Sequence, residues 1–272
     1  KKKKKKKKVK KYSLLFVLVL SSVFISCSND TDDTVAPSNF STPLNIGNFW
    51  TYDVKNQNIF TRDSLYISND IVIDSKTYKK FNTLNPVASG FYSSSLRNNA
   101  LRQEDGKLYL TGDLTLNMAA NLPFDVDLSV SDFIIFNKDA ANNQPLNAVP
   151  KSGTINETFN NFPLEIKYSL QVFGGETFAS FTSPDGTVYS NVKSTQVKLN
   201  VGITTEFSGF PITALAPQDV VVSTQYLADG IGVVYTKTVT SYNVNATVAN
   251  GLGIAPSETQ TQEEFLDTYL VN

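Results

Sequence analysis

The chain has 272 residues, 41% of them hydrophobic, enough to bury a core and to exclude wholesale disorder. Its formal net charge of −1 hides an asymmetry: residues 1–26 hold ten of the 24 basic residues (Lys1 to Lys8, Lys10 and Lys11) and no acid, so the remainder sets 14 basic against 25 acidic residues, a net of −11. Such a body does not seek nucleic acid, and a chain with no histidine lacks the Ser-His-Asp and Cys-His catalytic sets, His-ligated zinc and the commonest general base.

The first element is a lysine-rich stretch, Lys1 to Lys11, followed by an apolar run from Tyr12 to Ser26 with Leu14, Leu15, Phe16, Val17 and Leu18 at its centre. As a helix, a run of about 15 residues spans roughly 22 Å, short of the roughly 30 Å hydrocarbon core of a bilayer. Residues 1–26 therefore read as a signal peptide and not as a membrane span. The run ends in Val23-Phe24-Ile25-Ser26-Cys27, which resembles a bacterial lipobox, with Phe24 where leucine is usual. The resemblance implies a diacylglycerol on the Cys27 sulfur, cleavage before Cys27, and a further palmitate-type acyl chain on the new amine. Two or more chains anchor stably where one is marginal. The alternative is an ordinary secretory signal with an incidental cysteine. Cys27 is the only cysteine, so no intramolecular disulfide forms.

Ser28-Asn29-Asp30-Thr31-Asp32-Asp33 follows. It resembles the acidic tract of Bacteroidota lipoproteins, which implies that Asp30, Asp32 and Asp33 engage the lipoprotein export machinery and that the protein is an outer-membrane lipoprotein on the cell surface. The plainer reading is a solvated tether. A calcium loop is disfavoured, since the glycine and distal glutamate of an EF-hand are missing. Residues 27–43, with Pro37 and Pro43, read as the lipidated cysteine and a flexible acidic linker, and residues 44–272 as one β domain.

In that domain, aromatic and β-branched runs recur: Phe49 to Lys55, Ser64 to Ile67, Ile71 to Ile73, Thr77 to Phe81, Lys107 to Leu110, Phe133 to Phe136, Leu164 to Phe173, Thr187 to Val201, Val220 to Tyr226, Gly232 to Val239 and Phe265 to Leu270. In Gln196 to Val201 the alternation places Val197, Leu199 and Val201 toward a core, and Glu165 to Leu170 repeats it. Glu104-Asp105-Gly106, Pro184-Asp185-Gly186 and Asp229-Gly230 read as turns. No segment shows sustained helical periodicity. Asn137 to Ser152 reads as a loop that could separate lobes, with one continuous sheet favoured. The expected fold is mainly β: a single curved antiparallel sheet or half-barrel.

Two phrases, Pro43-Leu44-Asn45-Ile46-Gly47-Asn48-Phe49-Trp50-Thr51-Tyr52 and Tyr226-Leu227-Ala228-Asp229-Gly230-Ile231-Gly232-Val233-Val234-Tyr235, resemble stretches of uncharacterised bacterial lipoproteins. The resemblance implies a curved half-barrel of the lipoprotein-carrier type. From the residues themselves, Gly230 and Gly232 fit a tight connection between strands, because no lysine or helix start follows to make a phosphate loop.

Trp50, the only tryptophan, is a core plug or a stacking platform for a sugar or lipid. Asp125 with Asp127, and Glu263 with Glu264, are carboxylate pairs. Residues i and i+2 share a strand face, so Asp125 and Asp127 can approach, but nothing around either pair marks a hydrolase site. Asp33-Thr34-Val35 and Asp63-Ser64-Leu65 match a short O-glycosylation pattern of Bacteroidota. No catalytic residue, metal ligand or cofactor is expected. The expected protein is a lipid-anchored, non-enzymatic binding or interaction module, its concave face holding an apolar ligand such as an acyl chain. The alternatives are a structural or adhesive surface protein and, less favoured, a carboxylate-dependent hydrolase.

Overall fold

Residues of alternating polarity separated by tight reversals form strand after strand, and here every strand pairs with its neighbour in sequence save at one place. The computed structural model describes residues 40–117, 125–207 and 209–272, all within one unit, Asn39–Asn272. In chain order the elements are β1 (Phe49–Asn56), β2 (Ile59–Ile73), β3 (Lys76–Thr83), α1 (Phe91–Leu96), β4 (Ala100–Glu104), β5 (Lys107–Asn117), β6 (Asp125–Asn137), β7 (Lys151–Phe159), β8 (Phe162–Thr182), β9 (Val188–Phe207), β10 (Phe210–Ala228), β11 (Gly232–Asn243), α2 (Ala246–Leu252) and β12 (Ser257–Leu270). They form one twelve-stranded antiparallel sheet in the order β6-β5-β4-β3-β2-β1-β12-β11-β10-β9-β8-β7. The first and last strands meet in the middle, and the sheet curls beyond a half-barrel into a nearly closed barrel whose seam lies between β6 and β7.

Reversals of positive φ drive this meander. Asp105-Gly106 turns β4 into β5, as its sequence suggests, while Asp74-Ser75 and Asn160-Asn161 make the same two-residue reversal without glycine. Asn and Asp tolerate the left-handed region better than other residues with a Cβ. Glycine is needed at the β10–β11 connection, where Gly230 has φ 72° and Gly232 φ 104°. The expected tight connection there is observed.

The loop between β6 and β7 closes the seam. β7 leaves β8 at Leu170, and beyond it the loop takes over the free edge: Leu146 donates to Val172 O, Asn143 to Gly174 O, and Gly174 back to Gln144 O, each 2.8 Å. On the other side the Asn147 amide accepts from Ile134 N and donates to Ile134 O on β6, both 2.9 Å. The stretch of β8 beyond β7 and part of the β6 edge are thus covered, and the segment joins one sheet instead of dividing the domain into lobes.

Inward side chains fill the barrel. Leu65, Ile67, Ile166, Val172, Leu199 and Val201 are all buried to 1% exposure or less. Leu199 and Val201 face the core as their alternation requires, and Val197 is half-buried. The chain enters this core earlier than a linker through residue 43 implies: the buried Phe40 ring lies 5.0 Å from that of Phe136, and Ser41 N donates to Asp229 Oδ1 at 2.8 Å.

The two phrases that resemble lipoprotein stretches touch each other. Trp50 Nε1 donates to Ile231 O at 2.6 Å, and Tyr52 Oη donates to Val233 O at 2.9 Å. Trp50 is 4% exposed and stacks on Phe81, so it is a core plug tying β1 to the β10–β11 turn. Trp50→Phe is expected to lower stability by about 1–2 kcal/mol through loss of that bond and some packing. Urea unfolding checks this, and an unchanged midpoint would show that the tie contributes nothing.

Candidate functional site

The residues before and within α1 cross one mouth of the barrel. A helix start leaves backbone N–H groups without intrahelical partners, and here five successive ones are met by side chains of the wall. Ser89 and Gly90 donate to the Asp63 carboxylate of β2 at 3.0 and 2.7 Å. Phe91 donates to Gln262 Oε1 of β12 at 2.6 Å. Tyr92 and Ser93 donate to the Glu264 carboxylate at 2.7 and 3.3 Å. Hydroxyls of Ser93 and Thr236 add bonds to Glu264 at 3.0 and 3.1 Å, and Gln262 Nε2 returns one to Ser89 O at 3.0 Å. Gln262 and Glu264 stand two residues apart, hence on one strand face.

Asp63 is 2% exposed and Glu264 0%, and among the described residues neither is in an ion pair. Burial pushes the Glu264 carboxyl up to about 7, against the lowering effect of the Tyr92 and Ser93 bonds and with a further push from Asp63. Burial, then Glu264, also raises the Tyr92 phenol. Gly90 makes the clamp fit: a Cβ there would stand 2.0 Å from Glu264 Oε2 and 2.3 Å from its Cδ. No other residue allows the carboxylate to lie against the chain.

This clamped segment separates two kinds of space. Outside it lies an open cleft of about 890 Å3, floored by Ser89, Phe91 and Ser94 and walled by β1, β5, β6, β11 and β12. Inside lie two apolar cavities of about 20 and about 40 Å3, both bordered by Tyr92. The inner cavities have room for a water or two. Ligand pockets run to roughly 300–1,000 Å3. Leu110, Leu114, Phe133, Leu170 and α1 fill the space around the second of these, so neither inner cavity holds an acyl chain. Among the described residues two spaces are of ligand size, the outer cleft and a more open depression of about 750 Å3 along β7 to β10, and both are lined mainly by polar residues.

The residues singled out in the sequence fall as follows. Cys27, Asp30, Asp32 and Asp33 lie outside the described residues, as does Asp33-Thr34-Val35. Asp125 and Asp127 do share an outward face of β6: Asp127 accepts from Thr115 Oγ1 at 2.6 Å, and burial, then Asp127, raises the Asp125 carboxyl. Asp125 borders the cleft. Glu263 and Glu264 are not a pair. Their side chains leave opposite faces of β12, Glu263 accepting from Tyr235 Oη at 2.7 Å. In Asp63-Ser64-Leu65 both flanking residues are buried. Sequence reasoning missed Gly90 and Gln262, and it singled out Glu264 only as half of a pair with Glu263. The one available signal was Ser257 to Glu264, too polar for a strand with a buried face unless that face meets polar partners. Among the described residues no group of three or more acidic side chains converges to hold a metal ion.

A many-stranded antiparallel barrel with a plugged mouth and a polar cleft above the plug is the class of structure that these features define. No protein-family profile and no curated protein matches the sequence. Among solved structures, a crystal structure of a candidate lipoprotein from Parabacteroides distasonis is similar at 11% identity and a TM-score of 0.39, over 85% of this chain and 98% of that one.

Proposed function

We propose that the protein is an exported, non-enzymatic binding module, tethered to the outer membrane by lipid on Cys27, that offers its cleft to a polar ligand outside the cell. The cleft of about 890 Å3 is the observation that supports the binding reading most, since the interior is filled. The tether is supported by the position of the single cysteine directly after the apolar run, and surface display by the acids Asp30, Asp32 and Asp33. The acidic body is repelled by anionic lipid, so attachment needs covalent lipid.

Cys27→Ser is expected to move the protein from the detergent phase to the aqueous phase on partitioning of native cells. Replacing Asp30, Asp32 and Asp33 by Ala is expected to leave it anchored but hidden from protease added to whole cells. Detergent-phase partitioning of the Cys27 variant would end the tether reading, and undiminished shaving of the triple variant would end the export role.

An adhesive surface role is a second reading. It draws on a row of rings running across β8, β10, β11 and β12: Phe181 lies 4.4 Å from Tyr226, Tyr226 5.4 Å from Tyr235, and Tyr235 5.2 Å from Phe265. These rings cover one another, and each is buried or half-buried.

A further inference from the structure

We infer that the cleft takes a neutral oligosaccharide, an inference that rests on the cleft being the binding site. Its groups divide into two sets. One set is spent on the protein: Gln262 on Phe91 and Ser89, Asn99 on Ser95 and Asp113, and Thr238 on Ser223. These bonds hold the walls in place. The other set is open. Among the described residues the side chains of Asn56, Arg97, Asn98 and Thr240 border the cleft without a hydrogen-bond partner.

The open set comes from four places, the end of β1, the end of α1, the residue after it, and β11. Amide and hydroxyl groups each donate and accept. A ligand that meets such groups on several sides must itself carry alternating donors and acceptors around its rim, as the vicinal hydroxyls of a sugar do. Beneath them Phe91, with Val87 and Ala88, supplies an apolar patch for the C–H face of a pyranose ring. An acyl chain would leave the amides unmatched, which costs the desolvation of each. An acidic sugar would meet the carboxylates of Asp113 and Asp125 against the single guanidinium of Arg97. At about 890 Å3 the cleft has room for more than one ring. The walls are fixed before binding, so little ordering is required of the protein.

The experiment is isothermal titration of the full chain with maltohexaose, cellohexaose, xylohexaose and mannohexaose, set beside oligogalacturonate and a panel of mixed-sequence hexapeptides. At least one neutral hexasaccharide is expected to bind more tightly than oligogalacturonate. Asn56→Ala and Asn98→Gly are each expected to weaken it about tenfold, with thermal unfolding little changed, because neither amide is bonded to the protein and glycine accepts the positive φ of 62° at residue 98. Binding that survives both variants would overturn the assignment. Peptide or acidic-sugar binding that is lost in both, without neutral-sugar binding, would overturn the ligand class and leave the cleft as the binding site. Silence from every probe would count against both.

Discussion

Gly90→Ala is expected to destabilise the protein by about 3 kcal/mol or more, a large loss for a glycine without an unusual backbone angle. The added methyl would fall 2.0 Å from Glu264 Oε2, so the carboxylate must leave its place. It would abandon the N–H groups of Tyr92 and Ser93 and the Thr236 hydroxyl, all of which lie beside the fully buried Glu264. Removing the shared acceptor of a buried hydrogen-bond network is among the costliest single changes. Urea unfolding measures it. Combining Gly90→Ala with Glu264→Ala is expected to cost less than the sum of the two single changes, since the collision needs both groups. A Gly90→Ala protein within about 0.5 kcal/mol of the parent would show that the clamp yields without cost.

The second large effect is on pH dependence. The Glu264 carboxyl is pushed up to about 7 from an ordinary 4.5, by burial first. Below 4.5 it is protonated in folded and unfolded chains alike and stability does not depend on it. As pH rises from there through about 7, the unfolded chain ionises more readily than the folded one, and stability falls, by about 3 kcal/mol in all. Asp132 acts in the opposite sense and elsewhere on the scale. Burial raises its carboxyl, but bonds from Arg102, Lys76 and Tyr78 outweigh that and hold it well below the usual range, so its contribution is lost only in strong acid. Unfolding at pH 5 and pH 8 therefore isolates Glu264: the parent is expected to be less stable at pH 8, and Glu264→Gln, which keeps the shape without the charge, is expected to remove most of the difference. Parallel pH profiles for the two proteins would sink this account.

Most of the fold was legible because most inward positions are apolar. Leu164 to Phe173 and Thr187 to Val201 announce β8 and β9 by alternation, and the single sheet follows from their turns. The region that escaped is the one nearest the cleft. β12 was legible only from Phe265 on, because Gln260, Gln262 and Glu264 face polar neighbours and give no hydrophobic period. α1 is six residues long and three of them are serine, too short for a helical repeat. Its stability comes from Asp63 and Glu264, which are remote in sequence. β7 was missed for a related reason: it is a mostly exposed strand, with only Gly153, Ile155 and Phe159 half-buried. The Asp125 and Asp127 pairing was readable from spacing alone, whereas the role of Gly90 depends on a carboxylate 174 positions later in the chain.

The place of β12 in the sheet has a consequence for how the molecule is made. Residues 257–270 zip together β1, met at the start of the domain, and β11, met near its end. A chain delivered N-terminus first, from a ribosome or through a translocon, holds two half-sheets with raw edges until its final strand arrives. Closing them spans nearly the whole domain in sequence, which makes acquisition of the native state slow and late. A polypeptide that cannot finish folding until β12 is through stays threadable until that strand has passed.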